Sequence, residues 1–148
     1  TDPLTQAFLD EQNYSPDSKA HFGGEGLISC LEDYAKFCEM LVNGGNYRGN
    51  QIISQASIDR MTEIVTPNFE SNPEMEGFTG LGMGFSVFVL SDPENTFAPK
   101  GIFGWSGYHN THFWIDPTNK LFVVFMSRAR EFNFMIPKRL RAAVYGSL

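Results

Sequence analysis

The stretch Phe103-Gly-Trp-Ser-Gly-Tyr-His-Asn-Thr-His-Phe-Trp-Ile-Asp-Pro117 decides how this chain is read. It opens on small, turn-prone residues and passes into alternating aromatics. Asp116-Pro117-Thr118-Asn119 then supplies a turn, and a strand-like run follows from Leu121 to Ser127. Two β-rich runs around a short polar turn predict a hairpin. In the second run both faces are apolar, with Leu121, Val123 and Phe125 against Phe122, Val124 and Met126. A strand with two oily faces is covered on both sides. The expected architecture is therefore α+β, an antiparallel sheet with helices on both faces. A glycine beside a strand marks close approach by a ligand or another backbone, so Trp105-Ser106-Gly107 is where site chemistry is expected.

Working outward, Leu81 to Leu90 reads as one strand. Met83, Phe85, Val87 and Val89 share one face, and Gly84, Ser86 and Phe88 the other. Ahead of it, Ser29-Cys-Leu-Glu32 has the form of a capping box. A helix is expected from there, with Leu31, Tyr34, Phe37, Cys38, Leu41 and Val42 on its apolar face and Asn43-Gly44-Gly45 at its end. Ser54 is the expected N-cap of a second helix, with Ile58, Met61 and Ile64 or Val65 inward and Pro67 beyond it. Phe134 to Tyr145 reads as a closing helix, with Ile136, Leu140, Ala143 and Val144 inward and Lys138, Arg139 and Arg141 towards water. Residues 1–25 carry Pro3, Pro16 and Gly23-Gly24 and read as an irregular lead-in, a connection from a segment upstream. Residues 26–148 form the domain proper.

Fourteen Phe and a hydrophobic fraction of 42% supply a core. The formal charge of -6 argues against a nucleic-acid partner, which selects basic patches. No apolar run approaches the roughly 18 residues of a membrane span. Cys30 and Cys38 are expected on one helix, where eight residues rise about 12 Å, too far for a disulfide. Two free, buried thiols fit a reducing, cytoplasmic compartment. A periplasmic or secreted location stays open should a signal lie upstream. A start at Thr-Asp-Pro without Met suggests a fragment or a processed product.

Several chemistries fail on spacing. Gly104-Trp-Ser-Gly107 lacks the glycine two residues after serine that a nucleophile elbow needs, since Tyr108 stands there, and a strand follows where a helix is required. His109 and His112, three apart on a strand, point to opposite faces, and His21 lies far off, so a metal site is not expected. Each His is expected to bond locally. No cofactor is implied.

The order of pieces carries a resemblance. Phe22-Gly-Gly-Glu-Gly-Leu-Ile-Ser29, Asp33-Tyr-Ala-Lys-Phe37, Met40-Leu-Val-Asn-Gly-Gly45, Ile52-Ile-Ser54, Met61-Thr62, Leu81-Gly-Met-Gly-Phe85, Gly104-Trp-Ser-Gly107 and Phe113-Trp-Ile-Asp-Pro117 follow one another. Together they resemble the C-terminal part of the penicillin-recognising serine hydrolases, in the branch of class C β-lactamases and their esterase relatives. The resemblance runs from about Phe22 to the end. It implies that Trp105-Ser106-Gly107 is the family's third motif in its Trp-x-Gly form, on a strand lining the cleft. It implies that the Tyr108 backbone N–H is one of two oxyanion donors. Trp105, Ser106 and Gly107 would then contact substrate, and His109 and Asn110 would touch the leaving group. Trp where β-lactamases place Lys removes a cation that could meet a substrate carboxylate, which favours ester-like substrates. Tyr108-His-Asn110 has the Y-x-N form of the family's second motif but not its place, and is read as coincidence.

One departure bears on activity. No serine in the sequence has lysine three residues on, so the family's S-x-x-K is absent. A serine hydroxyl is a poor nucleophile without a partner to take its proton. The expectation is a C-terminal fragment of a serine hydrolase, inactive alone, whose intact form cleaves a small ester or amide through an acyl-enzyme. The alternative is a non-catalytic binding module on the same fold. The resemblance further implies that Leu121 to Ser127 is left as an exposed sheet edge. An upstream segment of the same protein or self-association would cover it.

Overall fold

The computed structural model describes residues 27–66, 80–93, 98–129, 132–133 and 135–148. The chain divides into two compact units, Thr1–Cys30 and Leu31–Leu148. Of the first, only residues 27–30 are described, and Leu27, Ile28 and Cys30 are exposed there. The lead-in expected over residues 1–25 and the loop over 67–79 lie outside the described residues.

The second unit starts with α1, Leu31–Val42. Its start falls two residues after the expected capping serine, and the Ser29 hydroxyl donates to the neighbouring Cys30 carbonyl. Cys38, Met40, Leu41 and Val42 are buried, whereas Leu31 and Phe37 keep about half of their surface in water. Asn43-Gly44-Gly45 ends the helix, with the Gly45 N–H closing back on the Met40 carbonyl at 2.9 Å. A two-residue ribbon follows, β1 (Asn46–Tyr47) against β2 (Asn50–Gln51). Then comes α2, Gln55–Met61, capped as expected by Ser54, whose hydroxyl accepts from the Ser57 N–H at 3.0 Å. Only Ile58 of α2 is buried. The helix stops at Met61, so Ile64 and Val65 fall beyond it and are exposed.

Five antiparallel strands form the sheet, in the order β3-β4-β5-β6-β7. Two of the expected strands prove to be hairpins. Leu81 to Leu90 folds back as β3 (Leu81–Met83) on β4 (Phe88–Leu90). The turn between them places Ser86 at a φ of 64° and is closed by the Gly84 N–H on the Val87 carbonyl at 2.9 Å. The Phe85 N–H reaches the Met61 carbonyl at 2.8 Å, tying this turn to the end of α2. The run from Phe103 likewise divides into β5 (Phe103–Ser106) and β6 (His112–Asp116) around Gly107–Thr111. The expected hairpin across Asp116–Asn119 is present, joining β6 to β7 (Leu121–Phe125).

Helices cover both faces. Cys38, Leu41, Val42, Ile58, Val89, Phe103 and Ile115 form one core, between the sheet and α1 with α2. Leu81, Leu90, Ala98, Ile102, Trp114 and Tyr145 form the other, beneath α3 (Met135–Tyr145). Alternation along β7 serves both: Phe122 and Val124 join the first core and Val123 the second. Among the described residues β7 is an edge of the sheet.

The closing helix packs Leu140 and Val144 against the second core as its pattern suggested, but differs from it at other positions. Pro137, Arg141 and Tyr145 are buried, and Ala143 is exposed. Arg141 is thus an interior guanidinium, not a solvated one. Tyr145 explains the phase: its hydroxyl donates to Asp116 Oδ2 at 2.9 Å and accepts from Trp114 Nε1 at 3.2 Å. Those buried bonds fix which side of α3 meets the sheet.

Candidate active site

The end of β5 is open on one side. Its ladder with β4 stops at the pair Phe88↔Gly104, whereas its ladder with β6 runs on to Ser106↔His112. Beyond that pair the Gly107 N–H closes on the Thr111 carbonyl at 2.7 Å. Trp105 and Ser106 therefore have a strand neighbour on the β6 side and, among the described residues, none on the β4 side, and Gly107 and Tyr108 lie in the turn beyond them. Gly104 sets up this close pairing. A Cβ there would overlap the Phe113 carbonyl oxygen and sit 2.7 Å from Trp114 Cα. Gly107 is small for a more local reason, since a Cβ would strike Thr111 Oγ1 within the turn.

The side chains along this end point in different directions. Trp105 keeps 39% of its surface exposed. Its ring stacks on Phe88 with centroids 4.4 Å apart and planes 12° from parallel. The pair makes a flat apolar wall. Ser106 turns inward: its hydroxyl shares a hydrogen bond of 2.7 Å with His112 Nδ1. What Ser106 can offer a cleft is backbone. His112 is buried against the rings of Phe125 and Phe132. Burial, with the Arg141 guanidinium nearby adding to it, lowers its pKa to about 4. A cavity of about 30 Å³ along the strand is lined by Phe88, Trp105, Ser106, His112, Pro137 and Arg141 among others, room for about one water.

Tyr108 is 55% exposed, and its N–H donates to no acceptor among the described residues. The direction of that N–H follows from the turn. The Gly107 carbonyl accepts from the Asn110 N–H at 3.0 Å, inside the turn. In a planar trans peptide the C=O and the next N–H point opposite ways. The Tyr108 N–H is thereby aimed out of the turn.

His109 lies half-buried with its ring edge-on to Tyr108 at 5.2 Å. Its Nδ1 is buried with no partner among the described residues. Its carbonyl accepts from the Ser127 hydroxyl at 2.7 Å and the Ala129 N–H at 3.2 Å. Asn110 differs most from expectation. It is fully buried, and its Oδ1 accepts from the Asn133 N–H at 2.7 Å. With no exposed surface it cannot meet a leaving group. The expected set thus separates into an outward part, Trp105 and Tyr108, and an inward part, Ser106 and Asn110.

Three features here escaped the sequence reading: the Ser106–His112 bond, the Phe88–Trp105 stack and the Ser127 contacts. The Ser106–His112 bond and the Ser127 contacts depend on the Gly107–Thr111 reversal, and the stack on the β4–β5 pairing at Phe88↔Gly104. Had that five-residue, glycine-led turn been recognised, the register would have put residues 106 and 112 side by side.

Comparison with known proteins identifies the family. The family model for β-lactamase matches residues 2–145. Protein Rv1367c of Mycobacterium tuberculosis is 29% identical over 136 residues, which cover 84% of this chain and 33% of that protein. The chain thus spans about a third of the length of the curated relatives it matches. Among solved structures, EstCE1, a hydrolase with promiscuous acyltransferase activity, superposes with a TM-score of 0.66 at 25% identity. That match covers 84% of this chain and 32% of the other. Simvastatin synthase (LovD) from Aspergillus terreus gives a TM-score of 0.65 at 19% identity over 85% of this chain and 36% of its own, a likeness of fold. With a matching model over nearly all of its length, the chain belongs to the β-lactamase family.

Proposed function

We propose that these residues are the C-terminal part of an esterase-like serine hydrolase, with residues 1–25 leading in and residues 26–148 completing the domain. The observation that carries this reading is the outward Tyr108 N–H at the open end of β5, next to the Trp105 wall. Acyl transfer needs hydrogen-bond donors where negative charge develops, and one such donor is worth about 3 kcal/mol. A substrate carbonyl lying along residues 105–108 has its oxygen towards Tyr108 N–H and its acyl portion against the Trp105–Phe88 face. Ser106 and Gly107 contribute backbone to that edge, and the His109 ring flanks Tyr108 on the leaving-group side.

The chemistry requires a serine from outside this chain, whose S-x-x-K lysine takes the hydroxyl proton. Its oxygen bonds to the substrate carbonyl carbon, the C–O bond to the leaving alcohol breaks, and water then releases the acid. An apolar ring at position 105 suits esters over substrates bearing a carboxylate beside the reacting bond. The similarity to EstCE1, a hydrolase with promiscuous acyltransferase activity, supports acyl transfer as the chemistry. The partner that completes the site is then an upstream segment of the same protein, which also covers the β7 edge.

The test compares p-nitrophenyl esters with nitrocefin on the protein extended by its own upstream residues, and on the 148-residue chain alone. Ester hydrolysis by the extended protein, slower nitrocefin turnover and no turnover by the chain alone are expected. Turnover by the chain alone, or faster nitrocefin cleavage, would overturn the proposal.

A further inference from the structure

The burial of Asn110 gives it a different task from meeting substrate. We propose that Asn110 is a positioning residue that aims the Tyr108 N–H, and that Ser127 and the Asn133 amide hold it from behind. This deepens the functional reading above and rests on it.

The chain of contacts is short. The Asn110 N–H holds the Gly107 carbonyl inside the turn at 3.0 Å, and the trans peptide then directs the Tyr108 N–H outward. Returning the chain to β6 places Asn110 at a φ of 58°, a left-handed conformation that asparagine tolerates better than most side chains. Three further bonds fix this geometry. Asn110 Oδ1 accepts from the Asn133 N–H at 2.7 Å. The Ser127 hydroxyl lies 2.9 Å from the Asn110 carbonyl oxygen and 2.7 Å from that of His109. Ser127 and Asn133 both belong to the segment between β7 and α3. The turn that carries Tyr108 is therefore tied to the scaffold at its carbonyls. A donor held in place before charge develops stabilises that charge without reorganising.

Variants that keep the backbone but cut the anchors separate this from a general structural role. Asn110→Gly keeps the left-handed turn and deletes Oδ1. Ser127→Ala removes the hydroxyl, and Ser127→Thr restores one. In the 148-residue chain, amide hydrogen exchange should quicken at least tenfold at the Asn110 and Gly107 amides in Asn110→Gly and Ser127→Ala. Exchange near the wild-type rate is expected in Ser127→Thr. Unchanged protection in Ser127→Ala would overturn the proposal. In the extended protein, kcat on an ester should fall about ten- to a hundredfold for the first two variants, with KM within twofold and recovery in Ser127→Thr. An active enzyme whose kcat ignores both cuts would also overturn it. An inactive extended wild type counts against the serine hydrolase reading, and the exchange rates alone then decide whether Asn110 positions Tyr108.

Discussion

Acidification should weaken this fold through His112 before the carboxylates account for it. In the folded chain His112 shares its Nδ1 bond with Ser106, lies between two phenylalanine rings and sits near the Arg141 guanidinium. Burial, then that cation, lower its pKa from 6.5 to about 4. In the unfolded chain His112 takes up a proton as pH falls through about 6.5. In the folded chain it does not until about pH 4, so between these values the unfolded state binds more protons. Stability is thus fully present above about pH 6.5 and declines as pH falls towards 4. The shift corresponds to a loss on the order of 3 kcal/mol over that window. Urea unfolding from pH 4 to 8 would read it, with His112→Gln as the comparison that removes only this titration. The difference between the two curves should grow as pH rises from 4 to 6.5 and then level off. Proton NMR of the histidine rings gives the same answer without denaturant, since the His112 signals should stay put from pH 8 to 5. A His112 midpoint near 6.5 would refute the buried, Ser106-bonded placement.

Other expectations follow from single contacts. Gly104→Ala should cost about 3 kcal/mol in urea unfolding, because the new methyl meets strand backbone that has nowhere to go; a near-neutral result would mean β5 and β6 are farther apart than described. Tyr145→Phe should lower stability by about 2 kcal/mol, since it strands the buried Trp114 Nε1 donor and removes one of the hydrogen bonds to the Asp116 carboxylate, which keeps those from Asn119; a thermal melt would show it. Iodoacetamide at pH 8 should modify Cys30 and spare Cys38 in the folded chain, since burial pushes the Cys38 thiol up to about 12. Both should react in urea. Phe88→Ala should remove the ring behind Trp105 and raise KM for aryl esters by about three- to tenfold in the extended protein, in line with stacking energies of about 1 kcal/mol. An unchanged KM would argue that the wall does not touch substrate.

Periodicity was informative where one face is clearly oily. It located α1, the β6–β7 hairpin and the closing helix to within a residue or two, and two-faced β7 gave away the helical layers on both sides of the sheet. It failed at reversals. Leu81–Leu90 and Phe103–Asp116 keep their alternation through turns at residues 84–87 and 107–111, so period 2 alone cannot distinguish one long strand from two short ones. Arg141 was misplaced because composition assigns a guanidinium to water, whereas Tyr145, bonded to Asp116, sets the helix phase. At the candidate site, the order of family-like pieces pointed to Trp105 and Tyr108, the two large side chains that the structure leaves exposed there. The inward turn of Ser106 and Asn110 could not be read, because it depends on cross-strand register and on Ser127 and Asn133, distant in sequence.

On the proposed function, the Tyr108 N–H receives the developing oxyanion of a serine-bound substrate. A crystal structure of the extended protein after reaction with an alkyl phosphonate ester tests it most directly. The phosphonyl oxygen should lie about 2.9 Å from the Tyr108 nitrogen, with the alkyl group against Trp105. A phosphonyl oxygen directed away from Tyr108, or a protein that forms no adduct, would contradict the account.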